Sequence, residues 1–317
     1  MAGSSKTAIY AALVGNSLIA LTKFAAATIS GSAAMFSEGI HSLVDTGNQV
    51  LLLYGLKRAE KPPDAEFPFG YGKEVYFWSF VVAILIFGLG AGISIYQGWN
   101  HLGDRGPMEN PIINYVVLGF AIVFEGGALF VAFREFNRSR GTTGIIQAVR
   151  RGKDPTLFVV VFEDSAALLG LLFALVGVGL YQITGDPVYD ALASIGIGVI
   201  LALTAGWLAF ESKGLLIGES ASPAIVAAIA EITQQDTRVL TTNEVATLHM
   251  GPAHIIVTLS LDFVDGIDSS EVEAAVTELN RSIKAIDPAI RRVFVEAERT
   301  QDHLSVEPPG RLPPPHA

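Results

Sequence analysis

His41 and Asp45 lie four residues apart inside Ala33–Gly55, a stretch apolar enough to span a bilayer. At ~100° per residue, positions i and i+4 project within about 40° of each other, so the imidazole and the carboxylate share one helix face. That is a metal-ligand spacing. An ionisable group in hydrocarbon costs on the order of 3 kcal/mol by insertion scales, and such groups usually serve ion paths or proton relays. The competing reading is a hydrogen-bonded pair that ties helices together. Glu38, three residues before His41, extends the face to Glu38, His41 and Asp45; its bland reading is a capping or snorkelling residue near the start of the span. A tetrahedral site of one imidazole and two or three carboxylates suits Zn²⁺, while oxygen-rich coordination also admits Mn²⁺, Fe²⁺ or Co²⁺.

The elements that must carry these residues are membrane helices. The 317-residue chain is 50% hydrophobic and only 16% charged, with a mean hydropathy of +0.46, too apolar for a soluble protein with ordinary cores. It contains no cysteine, which excludes thiolate metal cages, disulfides and cysteine nucleophiles. A net charge of −10 without a basic stripe excludes nucleic acid as a partner. No Gly-x-Ser-x-Gly, P-loop or His-Glu-x-x-His occurs, so an enzyme is not expected and no organic cofactor is implied.

Six spans of roughly bilayer length are predicted: Ala8–Ile29, Ala33–Leu56, Val75–Trp99, Pro111–Phe136, Leu157–Tyr181 and Tyr189–Phe210. The first is too long for a signal-peptide core and leads directly into the second, so it is expected to remain in the mature chain. Lys57, Arg58, Lys61 and Lys73 lie between spans two and three, and Arg138, Arg140, Arg150, Arg151 and Lys153 between four and five. The other two connectors, Gly103–Asn110 and Gln182–Val188, are nearly free of basic residues, which places both termini on the cytoplasmic side. Other polar residues in the spans read differently. Glu125 is a proton relay, an entry-path charge or a helix pair; Asn16, Lys23, Asn48 and Gln49 are packing or headgroup contacts; Asp190 caps the sixth span. Ala193, Gly196, Gly198 and Ala202 permit close helix approach.

After about Glu211 the texture becomes that of a soluble domain. Ser222–Gln235 reads as a helix with Pro223 in its first turn, and Asn243–Met250 as a strand. In His254–Phe263 the apolar residues alternate, the period of a half-buried strand. Asp268 with Glu271 forms a capping-box start. The following helix carries Val272, Val276, Leu279, Ile283 and Ile286 as an apolar stripe. Arg292–Glu298 closes the unit as a third strand. The organisation expected is therefore residues 1–211 as an all-α six-helix transmembrane domain, 212–300 as a small cytoplasmic α+β (αββαβ) domain, and 301–317 as a disordered tail, Pro-rich from Glu307.

Three stretches now resemble one family, the cation diffusion facilitators, whose architecture of six spans plus an αββαβ domain matches nearly the whole length. Ser37-Glu38-Gly39-Ile40-His41-Ser42-Leu43-Val44-Asp45 is similar to the family's His/Asp-x-x-x-Asp site. Phe67-Pro68-Phe69-Gly70-Tyr71-Gly72-Lys73-Glu74 is similar to its His-Pro-x-Gly-x-Gly-Lys loop, with Phe67 in place of the histidine. Glu163-Asp164-Ser165-Ala166-Ala167-Leu168-Leu169-Gly170 is similar to the site helix of the fifth span. The family usually places His or Asp four residues before Asp164; here Val160 stands there, so one ligand of the usual four is missing. Glu163 lies about 100° around the helix from Asp164, and the adjacent Glu-Asp pair resembles a divergent branch that includes mitochondrial zinc transporters.

The resemblance implies a Zn²⁺/H⁺ antiporter that exports metal from the cytoplasm, with His41, Asp45, Asp164, Glu163 and Glu38 as candidate metal ligands and Zn²⁺ as transported substrate. Its partners are then a divalent metal ion, protons, the lipid bilayer and a second copy in a homodimer. Its place is the inner or plasma membrane, or an organelle membrane in a eukaryote. Alternatives are an exporter of Mn²⁺, Fe²⁺ or Co²⁺ and a non-transporting metal sensor or scaffold. A metal entering two or three carboxylates displaces protons, so metal and proton exchange at one site. In relatives, last-strand histidines hold zinc across a dimer interface; Arg292–Glu298 has none, and His249 and His254 read as surface residues. Lys73 is expected to pair with Glu219 or Glu211.

Overall fold

The structure, a computed structural model, describes residues 2–103, 108–140, 144 and 155–306. Arg105, Arg150, Arg151, Lys153 and the Pro-rich segment 307–317 lie outside the described residues. The chain divides into two compact units, Met1–Lys57 with Val75–Lys213, and Arg58–Glu74 with Gly214–Ala317.

The first unit is helical. Its long helices are α1 (Ala2–Ser30), α2 (Ala33–Ala59), α3 (Glu74–Gly103), α4 (Pro111–Arg140), α5 (Pro155–Thr184) and α6 (Val188–Ile217). Among the described residues, α3 to α6 are four helices long and apolar enough to cross a membrane. α2 falls outside that set because Glu38, His41, Asp45, Asn48 and Gln49 interrupt its apolar residues. Within α3, Ile86–Ala91 winds as a π-helix. α1 stops at Ser30 because Gly31 takes φ +70° and returns its N–H to the Ala27 carbonyl at 2.8 Å, the left-handed stop that glycine permits.

α4 packs against α1 and α5. Small residues let α3 and α6 close on each other: a Cβ on Gly98 would meet the Ala191 carbonyl and Ile195, and one on Gly198 would meet Ile95 and the Ala91 carbonyl. Asp190 differs from its expected role. It sits in the first turn of α6 but caps α2, accepting from the Ser32 hydroxyl at 2.6 Å and the Ala33 N–H at 2.5 Å. The orphan donors at the start of α2 have no intrahelical partner, and Asp190 is the carboxylate that packing brings to them.

The second unit runs α7 (Pro223–Gln235), β1 (Val239–Gly251), β2 (His254–Phe263), α8 (Ser269–Ile286), β3 (Ile290–Ala297) and α9 (Thr300–Val306). The sheet order is β1-β2-β3, with β1 antiparallel and β3 parallel to β2. Ser222 caps α7, and the Asp268–Glu271 capping box starts α8, each as expected. Ile229 of α7 and Leu279 and Ile283 of α8 cover Val257, Leu259 and Leu261 of β2. β1 starts four residues earlier than expected because Val239 pairs with Phe263.

Two readings are corrected here. Residues 301–306, assigned to a disordered tail, continue α9: His303 Nδ1 lies 2.6 Å from Glu298 Oε2, and Thr300 binds Asp262 through its N–H at 2.9 Å. His249 is buried rather than on the surface.

The Phe-Pro-x-Gly-x-Gly-Lys loop is fixed within this second unit. Asp64 accepts from the Tyr71 hydroxyl at 2.6 Å and from the Phe67 N–H at 2.8 Å, while Arg58 and Lys61 lie over the Tyr71 ring. Phe67, in the family's histidine position, packs on Tyr71. Phe69 meets Phe294 of β3 edge to face. Gly72 lies so close to the Met250 carbonyl that no Cβ would fit there. Lys73 Nζ donates to the Leu216 carbonyl in the last turn of α6 at 3.3 Å, where a cation complements the helix C-terminus.

Candidate metal site

α2 presents one polar stripe. Glu38, His41, Asp45 and Asn48 follow the spacing i, i+3, i+7, i+10, which keeps them on a single helix face, and all four are buried. Because the rest of the helix is largely apolar, the stripe turns inward when the helix packs. His41 Nδ1 lies 3.3 Å from Asp45 Oδ1. Both ring nitrogens of His41 and Asp45 Oδ1 are buried without a hydrogen-bond partner, a condition that costs about 1–3 kcal/mol per group.

α5 meets this stripe through Glu163. Asn48 donates to Glu163 Oε1 at 2.6 Å, and the Asp45 and Glu163 carboxyl groups lie close enough to interact. Asp164, the next residue, is half-buried and close enough to Glu163 and Glu125 for their charges to interact. The structure thus places Asp45 beside His41 on α2 and sets Asn48 of the same stripe against Glu163 of α5, with Asp164 one residue beyond Glu163. Val160, four residues before Asp164, is half-buried and supplies no donor.

Glu38 has a partner of its own. Lys23 of α1 donates to Glu38 Oε2 at 2.9 Å and to the Ser42 hydroxyl at 2.8 Å, and both charged side chains are fully buried. Glu38 Oε1 faces Gly170 of α5, where a Cβ would strike it. Glu125 of α4 is also buried, and its charge acts on Asp45 and Glu163.

Sequence reasoning placed Asn48 and Lys23 among packing or headgroup contacts, and both belong to this cluster. The signal for Asn48 was its position three residues after Asp45; for Lys23 it was a lone ammonium in the middle of an apolar span. Among the described residues, no three His, Asp or Glu side chains converge as a finished metal cage. What the stripe holds is buried imidazole and carboxyl atoms without hydrogen-bond partners.

These donors all fall inside a stretch with known likeness. The family model of the cation efflux transmembrane domain matches residues 9–217, from within α1 to the last residue of α6. The chain is 33% identical over 316 residues to the mitochondrial proton-coupled zinc antiporter SLC30A9 of Xenopus laevis, covering 97% of this chain and 56% of that protein. It is 36% identical over 258 residues to the protein of the same name from Mus musculus, covering 80% of this chain and 45% of that one. Metal tolerance protein C4 of Arabidopsis thaliana is 33% identical over 261 residues, 82% of this chain and 57% of its own length. The chain spans about half the length of the curated relatives it matches. With the matched domain reaching from within α1 to the end of α6 and carrying the buried polar stripe of α2, the chain belongs to the cation diffusion facilitator family.

Proposed function

We propose that this protein is a proton-coupled divalent cation transporter, with Zn²⁺ as its principal cargo. The observation that carries the reading is the buried pair His41 and Asp45, whose facing nitrogen and oxygen atoms have no hydrogen-bond partner and stand beside Glu163 on α5. In hydrocarbon an unpaired imidazole and carboxylate are costly, and a cation arriving between them removes that cost.

His41 supplies nitrogen, Asp45 and Glu163 supply oxygen, and Asp164 is one residue away on α5. One imidazole with carboxylates fits tetrahedral Zn²⁺; the oxygen-rich remainder leaves Mn²⁺, Fe²⁺ and Co²⁺ as competitors. A dication taken up by an imidazole and carboxyl groups binds their deprotonated forms, which couples metal entry to proton release at the same atoms. Alternating exposure of that site to the two sides makes an antiporter. Relatives named as proton-coupled zinc antiporters support both the cargo and the coupling.

In this reading α1 to α6 all cross the bilayer, α2 being admitted despite its polar stripe because that stripe faces protein. Both termini and the αββαβ domain lie on the side that carries the basic loops, the domain joins two copies into a homodimer, and metal leaves the cytoplasmic side. A mitochondrial membrane is the organelle option that the named relatives favour. The test is flux of Zn²⁺, Mn²⁺, Fe²⁺ and Co²⁺ in sealed proteoliposomes with an imposed pH gradient. Zinc movement that acidifies the compartment zinc leaves is expected; binding without movement would make the protein a sensor.

A further inference from the structure

We infer that Lys23 is a built-in counter-cation that withholds Glu38 from the transported metal and thereby limits how tightly the site grips its cargo. The inference rests on the reading of His41, Asp45 and Glu163 as the cargo site.

Glu38 occupies the same face of α2 as His41, one turn away, and is a further buried carboxylate on that face. Its Oε2 is instead taken by the Lys23 ammonium at 2.9 Å. The ammonium is anchored a second time by the Ser42 hydroxyl at 2.8 Å, so it does not stand free to be displaced. Glu38 Oε1 is buried with no hydrogen-bond partner and backed by Gly170, an acceptor held inside the protein but unused. Lys23 is also near enough for its charge to act on His41 and Asp45. A fixed positive charge at that range opposes an arriving dication. A bare lysine in mid-bilayer is costly, and breaking a buried pair from one side leaves an uncompensated charge, so the pair is retained only if both members are.

The chemistry gives a directional consequence. A transporter must release what it binds, and a further carboxylate on the metal would slow release. Removing the ammonium while keeping Glu38 frees that carboxylate and lifts the repulsion together.

The experiment uses the full chain purified in detergent and reconstituted in proteoliposomes, with Zn²⁺ for affinity and flux and Co²⁺ as a spectroscopic probe of coordination. Lys23→Met is expected to bind Zn²⁺ about tenfold tighter or more, to change the visible Co²⁺ spectrum by addition of an oxygen ligand, and to lower maximal flux. Lys23→Met with Glu38→Gln should return affinity and spectrum to those of the parent protein. Glu38→Gln alone leaves the ammonium unbalanced and should weaken Zn²⁺ binding by about tenfold. Unchanged or weaker affinity in a folded Lys23→Met protein overturns the inference. If that variant does not fold, Glu38→Gln decides: undiminished affinity overturns it as well. Failure of the parent protein to bind or move metal would instead count against the transport reading.

Discussion

Asn48 on α2 donates its side-chain amide to Glu163 Oε1 on α5 at 2.6 Å, so the two helices meet through the first member of the Glu163–Asp164 pair. The bond fixes the direction of one carboxylate before any cation arrives, and partners that orient a metal ligand typically contribute 10–100-fold, on the order of 1–3 kcal/mol, to affinity. Glu163→Gln is therefore expected to reduce Zn²⁺ affinity more than Asp164→Asn, and Asn48→Leu to reduce it by about tenfold. Competition titrations against a zinc-sensitive dye rank the three; a larger loss in Asp164→Asn would mean that α5 rotates when metal binds.

His41→Ala and Asp45→Ala should each abolish metal-coupled proton exchange while leaving a folded, membrane-inserted protein. Both side chains are buried, and each substitution also removes an unsatisfied polar group, so stability need not fall with activity. Proteoliposome flux and a thermal unfolding profile separate the two effects. Parent-level flux in either variant would refute the site.

Asp190→Ala should destabilise the first unit without touching the polar stripe. The carboxylate accepts from the Ser32 hydroxyl and the Ala33 N–H at the start of α2, and loss of a cap of this kind costs about 1–2 kcal/mol. The expected readouts are a lower unfolding temperature in detergent and faster amide exchange at residues 32–36, with zinc affinity changed less than in His41→Ala. Asp190→Asn keeps an acceptor and should recover part of the loss.

The loop between α2 and α3 should respond to alkali. The Asp64 hydrogen bond, with help from desolvation and the Asp64 and Glu66 charges, pushes the Tyr71 phenol up to about 12. The same Tyr71 bond, then the Phe67 N–H, holds the Asp64 carboxyl below its ordinary range. A phenol raised on folding adds stability that is complete below its unfolded value near 10 and is lost as pH climbs toward the folded one. For Asp64 the sign reverses: its contribution is present above about 4 and fades as pH falls. The phenolate absorbance difference between the parent protein and Tyr71→Phe should show a midpoint near 12 that drops when Asp64→Asn is added. A midpoint at the ordinary tyrosine value in the parent protein would mean that the bond does not persist in solution.

Much of the architecture is local and was readable for that reason. Apolar runs of bilayer length give helices, Asp268 and Glu271 three residues apart give a capping box, and alternation in His254–Phe263 gives a strand, although as the central strand it also buries Ile256 and Ser260 on its other face. The spacing of Glu38, His41 and Asp45 also fixed their common face, because 3.6 residues per turn is a property of any α-helix. What spacing does not contain is which surface lies opposite. Glu163 and Asp164 differ by about 100° around one helix, and only the packing of α5 on α2 decided that Glu163 meets Asn48 and Asp45. Lys23 and Glu38 are fifteen residues apart on different helices, Asp190 caps a helix more than a hundred and fifty residues before it, and His303 is held by Glu298 against β2. Each pairing exists because burial demands a partner for a polar group. The sequence determines which groups make that demand, and the tertiary structure determines which group meets it.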